Sequence, residues 1–367
     1  MPIYLSIFAI GVGLALCIPG RTERIRRTPI RTAMLVSFTA ILVLFAGLRY
    51  NTGFDYGSYL NNWWEPAQNF SNIIIHQKEP FLFLFFHLMG TLSLSYQSGL
   101  LVVGLISLGV KVYVFHRYSP YPFLSLLILI GDFYLMQEMG QMRSGLAMAF
   151  LTLAFHFYLQ NKQTKSFVLY GVACFTHLAS IPFFIFYVVS RMRLPPSPIN
   201  LTVLVVGVPA GLYFITGLAV TALAGTTAGQ IIGISSYTVR VLEGVESRSL
   251  LTAGTLFTVL VLVVSSALRT RLIEKRPYVR ELLWLYAIGL AFILSSTFLG
   301  DPAARIARMF LFYQCLLIPI LITALRPKMH SFILIFGLAA TYSLLKFMLV
   351  LTSRQDSFIP YQMAPFS

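Results

Sequence analysis

The sequence predicts an all-α polytopic membrane protein, with about 10–12 transmembrane helices and one or two re-entrant or interfacial segments. Three observations predict it. The 367 residues are 57% hydrophobic and 11% charged, where a soluble domain carries about 25% charged residues. Several apolar runs reach the ~18 residues that a bilayer crossing requires. Those runs are continuous rather than alternating, which excludes a β-barrel. The formal net charge of +15 would suggest nucleic acid in a soluble protein. No basic stretch is interleaved with aromatics outside the runs, so no nucleic-acid partner is expected. Lys and Arg instead mark cytoplasmic loops.

The runs lie near 3–19, 32–48, 81–95, 98–115, 121–137, 142–160, 166–189, 199–223, 250–268, 280–299, 303–325 and 331–350. Their connections are short. One integral membrane domain over 1–367 is expected, with an outer loop carrying interfacial helices at 49–80 and another outer loop at 224–249. "RTERIRRTPIR" (21–31) and "RTRLIEKRPYVR" (269–280) each carry five basic residues and read as cytoplasmic, as do "RMR" (191–193) and "RPK" (326–328). The N-terminus, 49–80 and the tail after 350 then lie outside.

Two runs resist a simple crossing. Lys162 and Lys165 precede 166–189 while Arg191 and Arg193 follow it, so this run enters and returns; "CFTHLASIP" supplies His177, Ser180 and Pro182, where a helix can break. The 81–95 run is short and begins "KEPF". If it stays at the outer face, "HRYSP" (116–120) becomes cytoplasmic and ten crossings result. The alternative of twelve crossings reverses 96–165 and puts Arg117, Lys162 and Lys165 outside. Positive-inside counting favours ten. Cys17, Cys174 and Cys315 all sit in apolar runs without a CxxC, so no disulfide framework is expected. A lipobox at Cys17 and a cleaved leader are both disfavoured, since Leu16 precedes Cys17 and the positive charges follow the first run.

In the ten-crossing arrangement Arg49, Arg143, Arg305 and Arg308 reach the outer rim, together with Asp55, Tyr56, Tyr59, Glu79, His177 and Asp301. Charges at that depth are costly unless paired or facing a wet cavity. Each has a plainer reading: a snorkelling arginine, a core histidine, Asp55 as a cap, Glu79 opening a helix before Pro80. Asp132 and Glu138 receive no role beyond offsetting arginines. Trp63, Trp64 and the tyrosines of 50–64 read as an interfacial belt or as sugar-stacking faces. Taken together, too few acids are present to pair the arginines. Guanidinium forks suit phosphate and diphosphate oxygens, and a lipid-linked diphosphate places its headgroup at this depth.

"LRYNTGFDYGSY" (48–59), "EP" (79–80), "MRSGLAMAF" (142–150), "CFTHLASIPFF" (174–184) and "RIARMFLFYQCLLIPIL" (305–321) together resemble the EpsG family, a branch of the Wzy-type polysaccharide repeat-unit polymerases that includes bacterial O-antigen and exopolysaccharide polymerases. The resemblance runs from about 48 to 320; the 224–249 loop matches nothing in it. It implies a glycosyltransferase of the bacterial cytoplasmic (inner) membrane with its active site facing outward, and leaves open a GT-C-like architecture. The growing glycan on undecaprenyl diphosphate is the donor, and an undecaprenyl-diphosphate-linked repeat unit the acceptor. A chain-length regulator is a partner by analogy alone.

On this reading Arg305 and Arg308, then Arg143 and Arg49, hold the diphosphate. Asp55 is the first choice of base, with His177 and Glu79 behind it; an alternative gives His177 a phosphate contact. Tyr56, Tyr59 and Trp63 face the glycan. No cofactor is expected: the chain has no DxD-type cluster, so the reaction is taken as metal-independent, although an Asp55–Glu79 pair could hold a divalent ion. A ligase would use the same diphosphate site, and a transferase using a polyprenyl monophosphate sugar normally carries a second acid near Asp55. A carrier-lipid flippase needs no base, and a membrane acyltransferase needs a polar partner beside His177.

Overall fold

The computed structural model describes residues 1–17, 29–64, 79–223, 249, 252–325 and 328–364. The Arg-rich stretch as far as residue 28, residues 65–78 and 224–248 of the two segments expected as outer loops, and Arg326 with Pro327 lie outside the described residues. The fold is all-α and polytopic, and the runs read from the sequence become helices. Among the described residues seven helices are long and apolar enough to span a membrane, or eight if the bent pair Ala253–Ala267 and Arg269–Lys275 counts as one. Four shorter apolar helices accompany them. The chain forms two compact units, Met1–Ile181 with Ile318–Ser367, and Pro182–Leu317.

The first unit has two chemically distinct ends. Helix Tyr96–Tyr118 starts with Ser95 capping Ser98 N at 3.3 Å and finishes with His116 and Arg117. Helix Met142–Leu159 carries His156 in its last turn, where the imidazole meets the Tyr118 hydroxyl at 2.9 Å. Helix Gln163–Thr176 then returns alongside, with Ser166 Oγ donating to Ala154 O at 2.8 Å. Arg117, His156, Lys162 and Lys165 therefore share one end. At the other, the Tyr96 ring packs on Tyr56 (5.3 Å between centroids) and on Trp63 (5.5 Å).

Helix Pro80–Thr91 has only 12 residues, a length of ~18 Å against a ~30 Å hydrocarbon core. Phe86 on this helix also touches Tyr96 and Trp63, so 80–95 leaves and returns at one end of the unit.

Both chain ends and the 49–53 segment meet at that same end. Strand Arg49–Tyr50 pairs antiparallel with Gln362–Met363. Gly53 N donates to Ser357 O at 2.6 Å, Ala364 N to Leu48 O at 2.8 Å, and the Tyr4 hydroxyl to Phe358 O at 2.6 Å. The first helix, the 49–53 segment and the 357–364 segment are thus in direct contact.

A buried ion pair holds the middle of this unit. Lys111 is 1% exposed and donates to Ser107 Oγ at 2.9 Å, to Gly145 O at 2.8 Å and to the Glu138 carboxylate. Glu138 lies on an 11-residue π-helix, Ile130–Gly140, that continues Pro122–Leu129. Glu138 offsets this lysine, not an arginine as the sequence suggested. Gly145 permits the approach: a Cβ there would stand 2.4 Å from Gln137 O and 3.3 Å from Glu138 Oε2.

In the second unit, helix Val279–Leu311 breaks at Gly300, whose φ of 61° and ψ of −141° leave the helical region. The chain folds back there. Phe292 and Phe310 stack at 5.9 Å, and a Cβ on Gly289 would stand 2.8 Å from Leu311. The sequence runs 280–299 and 303–325 are thereby separate helices. Helices Pro198–Leu223 and Ala253–Ala267 pack against the first arm of this hairpin.

Removing one partner of a buried pair leaves an uncompensated charge, which costs about 3–5 kcal/mol. Lys111→Ala is expected to lower the melting temperature of the solubilised protein sharply, and Lys111→Met with Glu138→Leu to recover most of the loss. A double variant as unstable as the single one contradicts this role of the pair.

Candidate active site

Three sequence-distant breaks in helical structure bring three polar side chains together. Glu79 precedes a helix because Pro80 occupies its first position, where the missing N–H is not needed. His177 ends helix Gln163–Thr176 in an extended conformation (φ −156°, ψ 122°), and the 3₁₀ turn Leu178–Phe183 with Pro182 follows. The break expected at His177, Ser180 and Pro182 is realised. Arg143 is the second residue of helix Met142–Leu159, just after the π-helix.

Glu79 is the centre. Its Oε2 accepts from Arg143 Nη1 at 2.6 Å. Its Oε1 meets His177 Nδ1 at 2.7 Å and accepts from Leu178 N at 2.9 Å. The Glu79 and His177 side chains are 10% and 13% exposed, while that of Arg143 is 34% exposed. Burial pushes the Glu79 carboxyl up, but the His177 hydrogen bond and charge, the Leu178 N–H and Arg143 outweigh it and hold the carboxyl below its ordinary range. Glu79 is therefore a carboxylate at neutral pH and receives the Nδ1 proton of His177. With Nδ1 turned to Glu79, Nε2 is the ring nitrogen that Glu79 does not engage.

Arg143 also rests over the Tyr59 ring, 5.7 Å from its centroid. Burial raises the Tyr59 phenol, and Arg143 draws it partway back. Asp55 precedes helix Tyr56–Trp64, its carbonyl accepting from Tyr59 N at 3.0 Å, and its charge acts on both Tyr59 and Arg143.

The other candidates occupy different surroundings. Arg49 is 1% exposed, so it presents no face to a diphosphate in this structure. It donates to Ala46 O, and its Nε and Nη2 have no hydrogen-bond partner among the described residues. Burial lowers its pKa, and Tyr96, Tyr134, Tyr56 and Tyr59 around it push the other way. Gly53, at φ 103°, brings the 49–55 turn against Met139 O, where a Cβ would stand 2.2 Å away.

Tyr56, Tyr59 and Trp63 are 2–3% exposed and pack with Leu82, Phe86 and Tyr96. Their rings are turned into a core instead of toward a glycan, because helix Pro80–Thr91 covers them. Arg305 and Arg308 belong to the second unit, on the arm that follows Gly300. Arg305 is exposed and 3.7 Å from Asp301; Arg308 is partly buried. Among the described residues no group of three or more His, Cys, Asp or Glu could hold a metal. Sequence reasoning passed over Lys111, although a lysine inside the 98–115 run was itself the signal.

Because Glu79 is held below its ordinary pKa, its stabilisation is complete above the usual ~4.3 of a glutamate and fades as pH falls through the lower folded value. The melting temperature of the wild type is expected to drop in that acid window. Glu79→Gln should start lower and drop less; an identical acid dependence in the variant contradicts the assignment.

The EpsG family model matches residues 32–363, nearly the whole chain. No curated protein and no solved structure matches the chain.

Proposed function

The chain belongs to the EpsG family, and on that premise we propose that it is a glycosyltransferase. It moves a growing glycan from undecaprenyl diphosphate to a lipid-linked repeat unit at the outer face of the bacterial cytoplasmic membrane. Family membership supports a polysaccharide-polymerase type of role. The observation that carries the chemistry is the Arg143–Glu79–His177 cluster.

In this reading the acceptor hydroxyl attacks the anomeric carbon of the donor. The bond from that carbon to the diphosphate oxygen breaks, and the hydroxyl proton passes to His177 Nε2. Glu79 orients the ring and stabilises the imidazolium that forms, as a carboxylate does for a histidine base. His177 takes the role first given to Asp55, because its ring is hydrogen-bonded through Nδ1 to a buried carboxylate. Asp55 adds negative charge beside Arg143.

The diphosphate leaves with its charge met by guanidinium donors. Arg143 offers the nitrogens that Glu79 does not use. Independently of that cluster, Arg305 and Arg308, three residues apart on one helix face, are a diphosphate-binding pair of the second unit. The reading needs no metal. The side bearing Arg117, Lys162 and Lys165 is cytoplasmic by the positive-inside rule, which turns the cluster outward.

The test is purified protein in liposomes with a defined lipid-linked repeat unit and product sizing. His177→Ala is expected to lower the polymerisation rate by about 10²–10⁴-fold, the usual contribution of a positioned base. Arg305→Ala with Arg308→Ala should leave insertion intact and abolish long chains. A normal ladder from either variant rejects the role given to that residue.

A further inference from the structure

Stability alone does not account for Lys111 and Glu138. A buried ion pair is often no more stabilising than apolar side chains of the same volume, and the 98–115 run around Lys111 is apolar. What the pair supplies, and apolar contact lacks, is direction. An ammonium carries three protons, and Lys111 has acceptors on three elements. They are Ser107 Oγ at 2.9 Å on its own helix, the Glu138 carboxylate on the π-helix, and Gly145 O at 2.8 Å on helix Met142–Leu159.

The third contact falls at the start of the helix that carries Arg143. Gly145 lies in its first turn, two residues after Arg143. The π-helix ends at Gly140, and Gln141 alone separates the two. Gln141 N donates back to Met136 O at 2.7 Å, and Gly145 N to Gln141 O at 3.1 Å, so the junction is bonded in both directions. A π-helix is rare and mostly a single turn. This one runs 11 residues, and Lys111 grips it near its end through Glu138. Glycine at 145 lets the two backbones meet, because a Cβ there would collide with Gln137 O. Arg143 is therefore set from its buried side by this junction, while Glu79 Oε2 holds its guanidinium at 2.6 Å.

We propose that the Lys111–Glu138 pair is a positioning device for Arg143. It fixes the start of helix Met142–Leu159 so that the guanidinium nitrogens not used by Glu79 meet the departing diphosphate. The inference rests on the role proposed for Arg143 in that reaction. Lys111 and Glu138 are both buried and act through the backbone at Gly145, not on substrate. An apolar pair fills the same space and keeps the helices together, but leaves the helix start free to shift. A displacement of ~1 Å at a reacting centre costs about 10²-fold in rate.

The experiment compares the full-length wild type with Lys111→Met plus Glu138→Leu in liposomes, using three readouts. The melting temperature should stay near that of the wild type. Hydrogen–deuterium exchange of the 141–147 amides should become faster while the rest of the first unit keeps its protection. The kcat of polymerisation should fall by about 10²-fold, and in an Arg143→Ala background the same pair of changes should add little further loss. Gly145→Ala keeps both charges and pushes the helix start off Gln137 O; it should lower kcat in the same way, and it decides the matter if the double variant does not fold. Unchanged exchange over 141–147, full recovery of kcat along with the melting temperature, or an undiminished loss in the Arg143→Ala background overturns the proposal. A wild type that makes no long glycan rejects the reaction instead, and the exchange result then decides the positioning alone.

Discussion

A single carboxylate, Glu79, sets the arrangement on which the rest of the site depends. It accepts from a guanidinium, an imidazole and a backbone amide at once. In a largely apolar chain such groups are costly unless they satisfy one another. The need for mutual pairing draws together residues 64 and 98 positions apart in sequence. It also fixes what each can do: the carboxylate is occupied, the imidazole is oriented through one nitrogen, and the guanidinium is half-exposed with donors to spare.

The surrounding structure holds the cluster in place by ordinary packing and one buried ion pair. Lys111 donates to the carbonyl of Gly145, two residues beyond Arg143, and to Glu138 on the π-helix that ends just before it. The start of helix Met142–Leu159 is thus tied to two neighbouring helices. Tyr59 supports Arg143 from beneath, and the aromatic core around Trp63 and Tyr96 supports Tyr59. The C-terminal strand closes on Arg49–Tyr50, so the turn that carries Asp55 is held by residues some 310 positions away.

Much of this was legible in the sequence, for a physical reason in each instance. A polar triplet inside an apolar run marks a helix break, and His177, Ser180 and Pro182 made one. A short run after Glu-Pro is too brief for a straight crossing, and Pro80–Thr91 is a helix of only 12 residues. Glu79, Arg143 and His177 stood out because charge at the rim of a hydrocarbon layer demands a partner. What the sequence could not reveal was which partner. Arg49 looked like a rim arginine, yet it is buried, with Tyr96 and Tyr134 from distant segments acting on its charge. Trp63 and Tyr59 had the composition of a sugar platform, but the cover supplied by helix Pro80–Thr91 is a tertiary fact. Lys111 was hidden by the opposite effect: its run was apolar enough to be counted as a crossing, which drew attention from the charge within it.

The claim at the centre is that Glu79 acts largely through His177. A double-mutant cycle on the initial rate of polymerisation tests it most directly, using Glu79→Gln, His177→Ala and the pair. If the carboxylate works through the imidazole, the double variant should be far faster than the product of the single losses implies, close to His177→Ala alone. Losses that multiply would show two independent groups and contradict the account.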